Sequence, residues 1–178
     1  DICYKGRIIS FGNYDTNSER LFGAMGDGVL FSADREKYIE FCKRENHKTL
    51  LGYGLALSPE QLAAVDKEIA KLMSVTEPWD PPKTVKPKRP GIDKEEPMYA
   101  YKLKQEADGR LYKFTSSKFK TYFVMSTNCV LLADTIVGAA GTDILSVRGF
   151  ISPGTYQDYL DKEFERPHSL VVTKRVYQ

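Results

Sequence analysis

Residues 122–136 read YFVMSTNCVLLADTI. The aromatic and β-branched residues at the start belong to a strand predicted over 120–125, and Thr127 and Asn128 then supply the short polar side chains that cap helices. Val130, Leu131, Ala133, Asp134, Ile136 and Val137 predict a mostly apolar helix ending near Gly138 or Gly141. Cys129 falls where the strand hands the chain to the helix. There, unpaired backbone N–H groups and the positive end of the helix dipole favour a thiolate, and the same donors suit an oxyanion formed in acyl transfer. Burial as a small apolar side chain is the commoner fate of a lone cysteine.

Around this stretch the chain is ordinary. Its 178 residues, 42% hydrophobic and 28% charged, are expected to form one domain over 1–178 with enough core to stand without staples. That composition excludes disorder and low complexity for the whole. The 26 basic and 24 acidic residues leave a net charge of only +2, so there is no global field to draw in nucleic acid or an acidic membrane. No apolar run approaches the ~18 residues of a membrane span, and a soluble chain is expected. Cys3, Cys42 and Cys129 are too few and too scattered for a disulfide framework or a CxxC metal site. Metal ligands at paired spacing, a GxSxG elbow and a phosphate loop are all missing, so no metal or cofactor is expected.

Upstream, GRIISFGNY at 6–14 predicts a strand running into turn formers, followed by FGAMGDGVLF at 22–31. The glycines of the latter lack phosphate-loop spacing, and a tight packing loop is expected. Asp34 opens a helix to about Arg44, with Tyr38, Phe41 and Cys42 on one face, which assigns Cys42 to the core. Residues 50–57 predict a strand. Ser58, Pro59 and Gln61 then give a capping box and a proline at the first helical position, opening an amphipathic helix through Leu62, Val65, Ile69 and Leu72.

Six of the nine prolines fall within 74–97, beside Lys83, Lys86, Lys88 and Arg89. An extended, solvated loop or linker is expected there. Residues 98–103 and 111–114 predict strands joined through Asp108-Gly109 as a hairpin. Ser152-Pro153 starts a further helix carrying Tyr156, Tyr159, Leu160 and Phe164, and a terminal strand follows His168.

The run 122–136, continued by ISPGTYQDYL at 151–160, resembles the Asn-Cys helix and following segment of circularly permuted, NlpC-type papain-like cysteine peptidases and amidases. The lecithin:retinol acyltransferase-like enzymes are similar in layout. GRIISFGNYD at 6–15 resembles the second strand of that layout, and residues 55–72 resemble its middle, so the likeness covers most of the chain through a short motif. It implies an α+β papain-like fold in which helices pack on a small antiparallel sheet. It also implies acyl transfer through a thioester, with Cys129 as nucleophile, a histidine as base and a third polar residue to orient it. The implied substrates are peptides, peptidoglycan or lipid acyl groups, in the cell envelope. The alternative is a catalytically silent domain that binds a ligand or partner.

In the permuted layout the histidine precedes the strand ending in FGNYD, yet no histidine precedes His47. Cys3, Tyr4 and Ile8 already look strand-like, so a signal, anchor or first strand bearing the base is expected before Asp1. Two other arrangements stay open, one in which His168 approaches Cys129 and one in which the site has decayed. His47 follows a charged helix end and is expected at the surface. Asn13 is the candidate third residue, although Asn-Tyr-Asp-Thr-Asn is also rich in turn formers. Asn128 is expected to cap the helix and to assist the oxyanion site.

Overall fold

A computed structural model describes residues 1–47, 49–86, 94–141 and 153–178. Strands β1 (Ile2–Tyr4) and β2 (Arg7–Gly12) form a hairpin through Lys5 and Gly6, both at positive φ. Next come β3 (Met25–Asp27) and β4 (Val29–Asp34), helix α1 (Arg35–Asn46), β5 (Leu50–Leu55) and α2 (Pro59–Met73). Short strands β6 (Thr76–Pro78), β7 (Thr84–Val85) and β8 (Glu96–Pro97) lead to α3 (Tyr99–Glu106) and β9 (Arg110–Phe114). The chain ends with β10 (Thr121–Phe123), α4 (Cys129–Gly138), α5 (Pro153–Glu165) and β11 (Val171–Tyr177).

The architecture is α+β. A five-stranded antiparallel sheet runs in the order β1-β2-β4-β9-β6, with helices on both faces. Strand alternation sends Val29, Phe31 and Ala33 of β4 to one face, where they meet Tyr38, Phe41 and Cys42 of α1 and Ala100 and Leu103 of α3. Leu30 faces the other way, and with Phe11 and Phe114 it packs against Val65 and Leu72 of α2 and Leu132 and Ile136 of α4. Buried on both faces, β4 is the spine of the sheet, and each fully buried Phe or Leu contributes about 1.5–3 kcal/mol. A third cluster, Val137, Leu160 and Val171, joins the far end of α4 to α5 and to the separate β5–β11 pair.

Several expectations hold in detail. Asp34 caps α1 through Lys37 N–H, and Ser58 and Gln61 complete both halves of the capping box on α2. Two need correction. The expected packing loop at 22–31 instead holds β3 and the start of β4. Its glycines serve close approach, since a Cβ on Gly28 would stand 1.8 Å from the Phe119 carbonyl oxygen. The strand expected over 98–103 is helix α3. Ala100, Leu103 and Ala107 recur at helical spacing in the core, and the Asp108-Gly109 pair ends that helix, with Asp108 in the left-handed region, rather than turning a hairpin.

Within 74–97, β6 adds an edge to the main sheet and β7 pairs with β8, while Lys88 and Arg89 lie outside the described residues. The beginning of the 151–160 motif lies outside them as well. Among the described residues no helix is long and apolar enough to cross a membrane.

Candidate functional site

Cys129 is the first residue of α4, half-buried, and everything before it is organised around one carboxamide. Asn128 is buried with extended backbone (φ −120°), and its Oδ1 accepts from Val130 N–H at 3.1 Å and Leu131 N–H at 3.2 Å. The Nδ2 of the same group donates to the Val124 carbonyl at 3.1 Å. Both ends of the Asn128 side chain thus serve the cap, as expected, with one of the two Nδ2 hydrogens spent on Val124. The N–H of Cys129 donates to no described group, and it is the helix N-terminal donor left to meet a developing oxyanion.

The strand before this cap is fixed by pairing rather than by its own length. β10 pairs with β3, Tyr122 opposite Gly26 and Phe123 opposite Met25. Val124 N–H extends the ribbon by donating to the Ala24 carbonyl at 3.1 Å. The ring of Tyr122 lies 5.5 Å from that of Phe11, which ties the ribbon to the α4 face of the sheet.

Among the described residues, Tyr122 and Tyr14 stand within electrostatic reach of Cys129. Burial pushes the Tyr122 hydroxyl up, and a charge on Cys129 pushes it the same way. Tyr14 is raised first by burial, against the hydrogen bond that joins its hydroxyl to Ser10 at 3.4 Å. Ser10 and Tyr38 both donate to the Asp1 carboxylate, the latter at 2.9 Å. The register of the β1–β2 hairpin sets Asp1 against Ser10, and Tyr14 and Tyr38 reach them from beyond β2 and from α1. Tyr122 lay in view in the decisive stretch, but nothing local in the sequence marks Asp1, Ser10 or Tyr14.

Asn13 is brought to the same ribbon. Its Nδ2 makes long contacts to the Met25 and Gly23 carbonyls, at 3.4 and 3.5 Å, and its Oδ1 is buried with no hydrogen-bond partner. The carboxamide lies directly on Gly26, where a Cβ would come within 2.0 Å of Oδ1. An unsatisfied buried acceptor is uncommon and asks for a donor.

The histidines are placed elsewhere. His168 sits at the α5–β11 junction with φ 61°, in a surface cleft lined by Tyr159, Glu163, Arg166, Pro167, Ser169 and Leu170. The apolar cluster beneath that junction meets α4 at Val137, about 12 Å along the helix from Cys129 at 1.5 Å per residue. His47 is the exposed left-handed cap of α1, across the sheet from α4. The structure therefore sets Asn128 beside Cys129 at the head of α4 and Asn13 against β3, and among the described residues no hydrogen bond or ion pair joins Asn13 or His168 to Cys129. Among the described residues no His, Cys, Asp and Glu side chains gather in threes as a metal site would require. No family model matches the chain, and neither the curated proteins nor the solved structures contain a match to it.

Proposed function

We propose that this chain is a papain-like domain of permuted NlpC layout, in which Cys129 is the nucleophile of a cysteine hydrolase or amidase. The observation that supports this most is the free N–H of Cys129 beneath a cap that engages both ends of Asn128. The thiolate attacks an amide carbonyl, and the oxyanion meets the Cys129 N–H. Collapse gives a thioester and releases the amine, which takes up a proton, and water then frees the acid and the thiol. Asn13 Oδ1 is a vacant acceptor of the kind that orients an imidazole N–H. Cell-wall peptides are the favoured substrate class, and lipid acyl groups are the alternative.

One observation favours a second reading, a catalytically silent domain of the same fold that binds a ligand or partner. Among the described residues no hydrogen bond or ion pair joins His47 or His168 to Cys129, and the apolar cluster beneath the His168 junction meets α4 at Val137, at the other end of the helix. Alkylation with iodoacetamide across pH separates the two, in a Cys3→Ser, Cys42→Ala background so that one thiol is followed. A nucleophile reacts at a pH well below the ~8.5 of an ordinary thiol. A rate that rises only around or above that value, together with turnover unchanged in Cys129→Ala, overturns the enzyme.

A further inference from the structure

The course of α4 fixes which side chains Cys129 faces. Beyond the far end of the helix the Ala140 carbonyl accepts from Gln61 Nε2 at 3.1 Å, and the next residue of α2, Leu62, accepts from the Tyr4 hydroxyl at 3.4 Å. The C-terminal end of α4 therefore lies by the β1–β2 turn. With α4 packed along β2, its N-terminal end lies towards Phe11 and Gly12. Cys129 shares a helix face with Leu132 and Ile136, and both are buried in the cluster that holds Phe11. The thiol thus starts the stripe of α4 that faces the sheet.

Tyr122 comes to the same place by another route. Its ring lies 5.5 Å from that of Phe11 and packs on the cluster that holds Leu132 and Ile136. The chain between Tyr122 and Cys129 is closed into a turn: Phe123 N–H donates to the Thr127 carbonyl at 3.0 Å, and Asn128 Nδ2 reaches back to Val124 at 3.1 Å. Tyr122 and Cys129 leave the two sides of that turn with their side chains in one layer, between α4 and the sheet. Among the described residues no hydrogen bond engages the Tyr122 hydroxyl. Burial raises its pKa above the ordinary 10.0, so at neutral pH the phenol keeps its proton and can donate it to a hydrogen bond. On the helix side, Asn128 Oδ1 takes the N–H groups of Val130 and Leu131, which leaves the N–H of Cys129 for an oxyanion able to accept more than one bond.

We propose that the Tyr122 hydroxyl is the second donor of the oxyanion hole, working with the backbone N–H of Cys129. This role rests on Cys129 being the nucleophile. As the thiolate adds to a carbonyl carbon, the C–S bond forms and the π electron pair moves onto oxygen. That oxygen accepts from both groups, and no proton is transferred. Collapse returns the pair to the carbonyl and expels the leaving group.

The test compares two reactions of one thiol in the Cys3→Ser, Cys42→Ala background. Acylation by p-nitrophenyl acetate passes through an oxyanion, and its nitrophenolate leaves without needing a proton. Iodoacetamide alkylates the same sulfur by displacing iodide from a saturated carbon, with no oxyanion. Mass spectrometry follows both at alkaline pH, where each rate has reached its plateau and the thiol is fully ionised. Tyr122→Phe keeps the ring on Phe11, so the melting temperature should hold. Its acylation should slow about a hundredfold, with alkylation within about twofold of the parent. Parent-like acylation in Tyr122→Phe overturns the donor role and leaves the nucleophile standing. So does a fall in both rates together, since Tyr122 then acts on the thiolate. Acylation of the parent's Cys129 no faster than that of free N-acetylcysteine overturns the nucleophile and the donor role alike.

Discussion

Lys113 donates to the Asp15 carboxylate at 2.6 Å, from the sheet to the turn that follows β2. It reaches Asp27 at the end of β3 as well, at 3.0 Å, with the Trp79 ring 5.1 Å away. One cation thereby clamps the Asn13 turn and the β3–β10 ribbon to the main sheet. Burial works to lower the Lys113 pKa, but the two carboxylates outweigh it and leave the pKa raised. Lys113→Met leaves the largely buried Asp15 without its cation and should cost about 2–4 kcal/mol in urea unfolding. Since the folded pKa is raised, the stabilisation is complete below the ordinary lysine value and is lost as pH rises through the folded one. A parent and variant that converge only at strongly alkaline pH would match this; equal stability at neutral pH would not.

Asn128 is expected to be the most informative single position in the site. Asn128→Ala removes the cap on α4 and leaves the Val124 carbonyl unpaired, for a loss of about 1–2 kcal/mol. Asn128→Asp keeps the cap acceptor but sets an oxygen against that carbonyl. Its stability should fall between parent and alanine variant, as read from urea midpoints.

Two glycines should respond differently to a methyl group. On Gly28 it meets backbone, the Phe119 carbonyl at 1.8 Å, and Gly28→Ala should cost about 3 kcal/mol or more because β4 or the Phe119 turn must move. On Gly26 it meets the Asn13 carboxamide, a side chain that can swing away. Gly26→Ala should be the milder of the two in a thermal melt, while displacing Asn13 and so slowing any reaction that Asn13 supports.

The acid limb of stability has contributions of both signs. Hydrogen bonds from Lys174 and Tyr53 hold Asp161 below the ordinary 3.8, and those from Lys5 and Tyr4 do the same for Asp66. Their folded pKa values are depressed, so their stabilisation is present above the ordinary value and lost as pH falls through the folded one. Burial raises Asp134, which gives it the opposite sign: its contribution is complete below 3.8 and lost as pH rises through the folded value. Asp161→Asn should therefore flatten the loss of stability in acid. Asp134→Asn should gain on the parent towards neutral pH, and urea midpoints from pH 2.5 to 7 would show both.

What could be read in advance was whatever is settled locally. Ser58 with Gln61, Asp34 and Asn128 act within one turn of their own helices, and each caps as its sequence implies. The centre of the sheet was not legible. Gly26 and Gly28 look like loop residues until Asn13 and the Phe119 carbonyl are seen lying against them, and both neighbours arrive from elsewhere in the chain. Met98, Ala100 and Leu103 fit a strand or a helix equally in so short a window, and packing against α1 decides for the helix. In the candidate site the same division holds. Cys129 and Asn128 were visible as a helix start, whereas Tyr14 reaches the surroundings of the thiol from beyond β2.

The pairing of Gly26 with Tyr122 also bears on the order of assembly. The partners are about a hundred residues apart, so closing that ribbon carries a large loop entropy, while the β1–β2 hairpin closes across two residues. The hairpin and α2 are expected to organise early and the ribbon late. Changes in the ribbon should then speed unfolding more than they slow folding, and the thiol at the head of α4 should be among the last groups to reach its native surroundings.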